Sequence, residues 1–229
     1  MLYNILAIGD VVGGCGVSCL ERHLRAVKKL KNIHFTVVNG ENAAMVGLTP
    51  NDAERIFSAG ADVITLGNHT FGKMQITDYL DDCPYILRPH NLGARVPGRG
   101  YGVFDCGRAR IAVMNLIGRC DLAFHADNPF KTADELLKSG EKPTFTLLDF
   151  HAEATSEKLA MAYYLDGRVS AIWGTHTHVP TADEEVFPKG TGYLTDLGMT
   201  GAVRSVLGIK PEQSVETFLG GLPGRYREP

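Results

Sequence analysis

An α/β fold built around a parallel sheet is predicted by three features of the sequence. The first half alternates strand-like and helix-like runs, which implies parallel pairing through right-handed crossovers. Its strand runs are apolar throughout rather than alternating, as suits strands covered on both faces. Each run also stops at polar residues: Asp10, then Asn39-Gly40-Glu41-Asn42, then Gly67-Asn68-His69. Ligands of open α/β sheets bind beyond the carboxyl ends of the strands, so these stops are expected along one edge.

Residues 2–9 form the first apolar run, and a helical pattern led by Ser18 follows through Leu20, Leu24, Val27 and Leu30. The glycines between them are not a nucleotide loop: no Lys-Ser/Thr pair follows, and G-x-G-x-x-G does not fit Gly9 to Gly14. Asp10 remains open to two readings, a helix cap or a ligand. Ile33 to Val38 is the second strand. Thr49-Pro50-Asn51-Asp52 starts a helix, with Thr49 as cap, Pro50 in the first turn and Asp52 completing a box-like pattern. That helix turns Ala53, Ile56 and Phe57 inward and stops at Gly60. Asp62 to Leu66 is the third strand, and Met74 to Leu80 a further helix.

The middle of the chain changes character. Gly102 to Asp105 and Arg110 to Leu116 flank Cys106-Gly107-Arg108 as a hairpin. Gly118 to Phe130 reads as a long loop, and loops of that length are often functional. Thr132 to Leu137 is a short helix, Thr144 to Asp149 a buried strand ending in Phe150-His151. Ala154 to Leu165 is an amphipathic helix offering Leu159, Ala162, Tyr163 and Leu165 to the core. Ala171 to Trp173 leads into Gly174-Thr175-His176-Thr177-His178. If strand geometry persists there, side chains two apart share a face. Tyr193 to Leu197 is a late strand.

Composition narrows the function classes. A chain of 229 residues can bury a full core as one domain over residues 1–229, and 44% hydrophobic with 21% charged residues is ordinary for a globular protein. The net charge of −3 argues against stable duplex nucleic acid binding. No apolar run approaches the roughly 18–20 residues that span a bilayer, and the N-terminus lacks a basic leader. Five cysteines at irregular spacing form no disulfide framework. A cytoplasmic location is therefore expected, with Cys15 and Cys19 as ordinary thiols.

The strand-end candidates are Asp10, Glu41, Asn42, Asn68, His69, His151, His176 and His178. Singly, each is a turn, a cap or a satisfied polar group. Together they are too many oxygen and nitrogen donors for one ion and suit a pair of metals about 3.5–4 Å apart. The lack of cysteine favours iron, manganese or zinc in a reactive centre over a structural thiolate site. Two divalent ions outweigh two carboxylates and a hydroxide by about one positive charge, so the centre would attract a phosphate ester. Arg88 and Arg119 are candidate phosphate contacts, although structural or surface roles suit most arginines.

The runs GDVVG (Gly9 to Gly13), NGEN (Asn39 to Asn42), GNH (Gly67 to His69), DFHAEATSEK (Asp149 to Lys158), GTHTHVPTAD (Gly174 to Asp183) and TDLGMTG (Thr195 to Gly201) resemble the YmdB-like bacterial metallophosphoesterases. These lie within the calcineurin-like phosphoesterase superfamily. The resemblance implies a four-layer α-β-β-α sandwich and a di-metal centre, most often iron. It assigns Asp10, Asn42 and His178 to one metal, Asn68, His151 and His176 to the other, and Glu41 as the bridge. It makes His69 the proton donor for hydrolysis of 2',3'-cyclic nucleotides or similar small phosphodiesters, in which a bridging hydroxide attacks phosphorus. A phosphomonoesterase with the same centre, or a nucleotide-binding regulatory module with little turnover, are the alternatives. Family members usually continue for some tens of residues with further strands. A shortened second sheet with an exposed strand edge would favour homo-oligomers.

Overall fold

The computed structural model describes every residue except 1, 123, 124, 139, 141, 223, 225 and 226. Two sheets carry the fold. The first is wholly parallel, in the order β1 (Ile5–Ile8), β3 (Phe35–Asn39), β4 (Val63–Thr65) and β5 (Ile86–Leu87). The second has the order β10 (Glu185–Val186), β11 (Gly192–Leu194), β9 (Ala171–Thr175), β8 (Phe145–His151), β7 (Arg110–Ile117) and β6 (Tyr101–Asp105). Its central pairs β11–β9, β9–β8 and β8–β7 are parallel, and its outer pairs are antiparallel. The predicted hairpin is β6–β7. A third, two-stranded pairing joins β2 (Asp10–Val11) to β12 (Met199–Thr200), in parallel.

Alternation along the strands sorts side chains into three apolar clusters. Phe35, Val37 and Val63 of the first sheet meet Ile111, Val113, Leu147 and Trp173 of the second. On its other face the first sheet, through Val38 and Ile64, packs on α1 (Gly13–Leu30) and α2 (Pro50–Ala59). The second sheet, through Met114, Leu148 and Ile172, packs on α4 (Pro129–Leu137) and α5 (Thr155–Leu165). β3 is fully buried as its sequence predicts, whereas β1 is only half-buried because it forms the edge of its sheet.

Local signals placed several elements well. Thr49 accepts from the Asp52 backbone N–H at 3.1 Å, Pro50 opens α2, and Gly60 closes it at φ 121°. Four expectations need correction. The first helix starts at Gly13 rather than Ser18, because Gly13 (φ 68°) makes the turn and distant groups hold its first residues. Glu228 accepts from the backbone N–H groups of Gly14 and Cys15 at 3.0 and 3.2 Å, and a Cβ on Gly16 would meet the Thr200 carbonyl oxygen at 2.3 Å. In α5, Ala162 and Leu165 point into the protein as expected, but Leu159 and Tyr163 face outward and Lys158 and Met161 point inward in their place. The late strand ends at Leu194, and α3 spans Ile76–Asp82, two residues beyond its expected register.

Of the long loop from Gly118 to Phe130, residues 123 and 124 lie outside the described residues, and Asn128 caps α4 through bonds from Phe130 and Lys131. The last helix, α6 (Pro211–Phe218), was not anticipated. The edge of the second sheet at β10 is two residues long, so it presents little template for strand pairing between copies. No helix among the described residues is long and apolar enough to cross a membrane.

Candidate metal centre

Polar side chains tie the two sheets together at the carboxyl ends of their strands. Asn115 of β7 donates to the carbonyls of Leu66 and Leu87 at 2.6 and 2.7 Å. Asp149 of β8, fully buried, accepts from Thr65, from Asn39 at 3.2 Å and from Thr175 at 2.7 Å. These bonds fix the relative height of the two sheets where the candidate ligands emerge.

Three imidazoles converge there, each with one ring nitrogen turned outward to an acceptor. His151 Nδ1 donates to Thr175 Oγ1 at 2.9 Å, and that hydroxyl is itself oriented by Asp149. His176 Nε2 lies 3.0 Å from the Glu153 carboxylate, and His178 Nδ1 lies 3.2 Å from the Leu207 carbonyl. Such outer acceptors fix the tautomer so that the inner nitrogen presents a lone pair. The inner nitrogens of His151 and His176 stand 3.1 Å apart, about the separation of two ligands each roughly 2.0–2.1 Å from one ion. Glu41 Oε1 is 3.2 Å from His151 Nε2, and Asn68 Oδ1 is 2.8 Å from the same nitrogen. Ligand atoms of Glu41, His151 and His176 all lie within 4.8 Å of one another.

The remaining candidates flank this trio. Asp10 is fully buried; its Oδ2 accepts from the His176 backbone N–H at 3.1 Å. Its Oδ1 has no hydrogen-bond partner and faces His178 Nε2 at 3.8 Å. A buried carboxylate oxygen without a partner is costly, and a cation between Asp10 and His178 would satisfy both atoms. Asn42 directs Nδ2 at His178 Nε2 (3.0 Å) and Oδ1 at His69 Nδ1 (2.9 Å), so it needs a turn of its amide to offer oxygen beside His178. The His69 backbone N–H donates to Glu41 Oε2 at 3.0 Å, and its half-buried ring lines the cavity over the centre. All eight candidates from the sequence therefore meet at one place.

Burial and their mutual interactions shift five titrating groups of the site. Burial is the main force lifting the Asp10 carboxyl to about 7, with Glu41 adding to it against His151. Burial also works to raise Glu41, but the facing His151 and His69 hold it well below the usual carboxylate range. Burial opposes a charge on His151, yet Glu41 and Asp10 carry it up to about 9. Burial, then His151, push His176 down to about 4, and burial lowers His178.

Gly67 is the tightest fit in the site. A Cβ there would lie 2.2 Å from Glu41 Oε2 and 2.3 Å from His151 Nε2. Gly67→Ala is expected to weaken metal affinity about 10–100-fold by displacing those atoms. Elemental analysis after dialysis tests this; full retention of metal would remove Glu41 and His151 from the ligand set.

Two of the sequence candidates lie elsewhere. Arg88 is buried, and its guanidinium donates to the carbonyls of Pro89, His90, Gly93, Val96 and Pro97 at 2.8–3.3 Å, a structural role. Arg119 is exposed and outside the cavity lining. The expected strand geometry at His176 and His178 also fails: β9 ends at Thr175, and both histidines have positive φ, 102° and 64°. Sequence reasoning passed over Glu153, Asp149, Thr175 and Leu207. Glu153 had a signal, a carboxylate two residues after His151; the Leu207 carbonyl had none.

The cavity over the centre has a volume of about 570 Å³ and reaches from Val12 and Asn42 to Leu207 and Ile209. Comparison with known proteins finds relatives over nearly the whole chain. The family described as YmdB-like protein matches residues 6–229. A 2',3'-cyclic-nucleotide 2'-phosphodiesterase of Bacillus subtilis (strain 168) is 46% identical over 225 residues, covering 97% of this chain and 85% of that protein. Among solved structures, a hypothetical protein from Thermus thermophilus superposes with a TM-score of 0.92 at 38% identity, over 98% of this chain and 88% of that one. A novel phosphatase of Mycoplasma pneumoniae gives 0.91 at 37% identity, over 100% and 84%. The chain belongs to the YmdB-like family of proteins.

Proposed function

We propose that the protein is a metal-dependent phosphodiesterase acting on 2',3'-cyclic nucleotides or similar small phosphodiesters. The observation that carries this is the convergence of the inner nitrogens of His151 and His176 on Glu41, beside His178 and the unpartnered Oδ1 of Asp10. The 46% identity to the Bacillus subtilis 2',3'-cyclic-nucleotide 2'-phosphodiesterase supports the substrate class. One domain over residues 1–229, layered α-β-β-α, is the scaffold that the three apolar clusters support.

Asp10, Asn42 and His178 would hold one ion and Asn68, His151 and His176 a second, with Glu41 between them. Iron is the first choice, with manganese and zinc as alternatives. When bound, the ions supply polarisation of the phosphoryl group and acidify water. Glu153, Thr175 and the Leu207 carbonyl hold the three rings in register. His69, half-exposed in the cavity with Nδ1 bonded to Asn42, is the proton donor to the departing ribose oxygen.

The test is turnover of 2',3'-cyclic AMP by protein stripped with a chelator and then reloaded with iron or manganese. Hydrolysis is expected to disappear on stripping and return on reloading. A protein with both ions bound and no turnover of the diester, but with turnover of nucleoside monophosphates, would be a phosphomonoesterase instead.

A further inference from the structure

Backbone strain marks the rim of the cavity. Among the described residues six that are not glycine have positive φ, and four of them, Met45, His176, His178 and Leu207, line this cavity. The histidines serve the metal centre and the Leu207 carbonyl positions His178, but the apolar side chains of Met45 and Leu207 at such positions call for another reason. Leu207 and Gly208 (φ 52° and 97°) are the central pair of a hairpin turn closed by Val206 and Ile209, which exchange backbone bonds of 2.8 and 3.0 Å. A two-residue turn with both φ positive is the type I′ form, in which Asn-Gly is favoured and leucine is not. Burial does not compensate, since Leu207 is 48% exposed. Val46 and Val179, also in the lining, are 44% and 54% exposed, and Val12 and Ile209 complete an apolar wall.

We propose that this wall is a clamp for the nucleobase of a nucleotide ester whose phosphate lies among Asp10, Glu41 and the three imidazoles, an inference that rests on the phosphodiesterase reading. An apolar wall beside a compact polar centre is the usual division of labour in small-molecule sites. The apolar side chains of the clamp grip the faces of the base and make no hydrogen bonds to its edges. The Thr177 hydroxyl, the one hydroxyl in the lining among the described residues, is committed to Asp196 at 2.8 Å. Adenine and guanine esters are therefore expected within about threefold of one another, because apolar side chains discriminate poorly between bases of similar shape.

The discriminating variant is Leu207→Asn. Asparagine suits the left-handed backbone of the turn, so the urea midpoint should hold or rise, while the apolar side chain is removed and the backbone carbonyl to His178 is kept. The readout is the ratio of kcat/KM for 2',3'-cyclic AMP to that for methyl riboside 2',3'-cyclic phosphate, which has the same diester and no base. The ratio is expected to fall roughly tenfold. An unchanged ratio, whether activity is kept or lost equally on both substrates, overturns the clamp. If the metal-loaded parent hydrolyses neither diester, the reaction assigned above fails, and calorimetry then judges the clamp separately with 3'-AMP and inorganic phosphate. Tighter binding of 3'-AMP by the parent, with that margin lost in Leu207→Asn, supports the clamp; equal affinities overturn it.

Discussion

His69→Ala is expected to lower turnover of 2',3'-cyclic AMP by about two to four orders of magnitude while both metals stay bound. The geometry separates the two effects. His69 touches the proposed ligands from outside, through its backbone N–H to Glu41 Oε2, its Nδ1 to Asn42 Oδ1 and a longer 3.4 Å contact of Nδ1 with Glu41 Oε1. Alanine keeps the first of these bonds. The half-exposed ring is the part that faces the cavity, where a leaving oxygen needs its proton. Metal content by elemental analysis, read beside kcat, decides the assignment. Loss of metal would make His69 a ligand or a ligand support, and full turnover with metals bound would leave the donor role without a residue.

The largest stability effect is expected at Lys158. Its ammonium lies 2.7 Å from Asp196 Oδ2, and both side chains are 1% exposed. Removing one partner of a buried pair leaves an uncompensated charge and typically costs about 3–5 kcal/mol, so Lys158→Met should lose that much in urea unfolding. Lys158→Met combined with Asp196→Asn should recover part of the loss, because no buried charge is then orphaned. Asp196 also accepts from the backbone N–H and hydroxyl of Thr177, at 3.3 and 2.8 Å. Thr177 separates His176 from His178, so the ion pair sets the position of both rings. The single variant should therefore bind metal more weakly as well. A loss below about 1 kcal/mol, the size of an exposed pair, would refute the account.

Lys158 also shows why part of the fold was illegible. The inward face of α5 is Lys158, Met161, Ala162 and Leu165, a regular helical stripe. A lysine at its first position reads as solvent-facing unless its partner 38 residues later is known. Attention then shifts to Leu159 and Tyr163, which the structure leaves exposed. The start of α1 was hidden for the same reason: its first N–H groups are met by Glu228, from the other end of the chain. By contrast Thr49, Pro50 and Asp52 act on one another within four residues, and that helix start was plain. The eight residues of the proposed centre could be picked out together because they follow the ends of apolar runs. Their supports Glu153, Thr175 and Leu207 could not, since support depends on which nitrogen of a ring faces outward.

The pairing of β2 with β12 dictates when the centre comes into being. Asp10 sits in register with Met199 and receives the His176 backbone N–H across 166 residues of sequence. At about 5–20 residues per second, roughly 10–40 s separate the synthesis of these two strands. During that interval the nascent first sheet can assemble through local crossovers and already displays Asp10, Glu41 and Asn68. It lacks His151, His176 and His178, so the proposed ligands it offers are oxygens alone. In the proposed centre the nitrogen donors that would select the metals thus arrive only with the second sheet, and the long loop closures involved make that step the slow one.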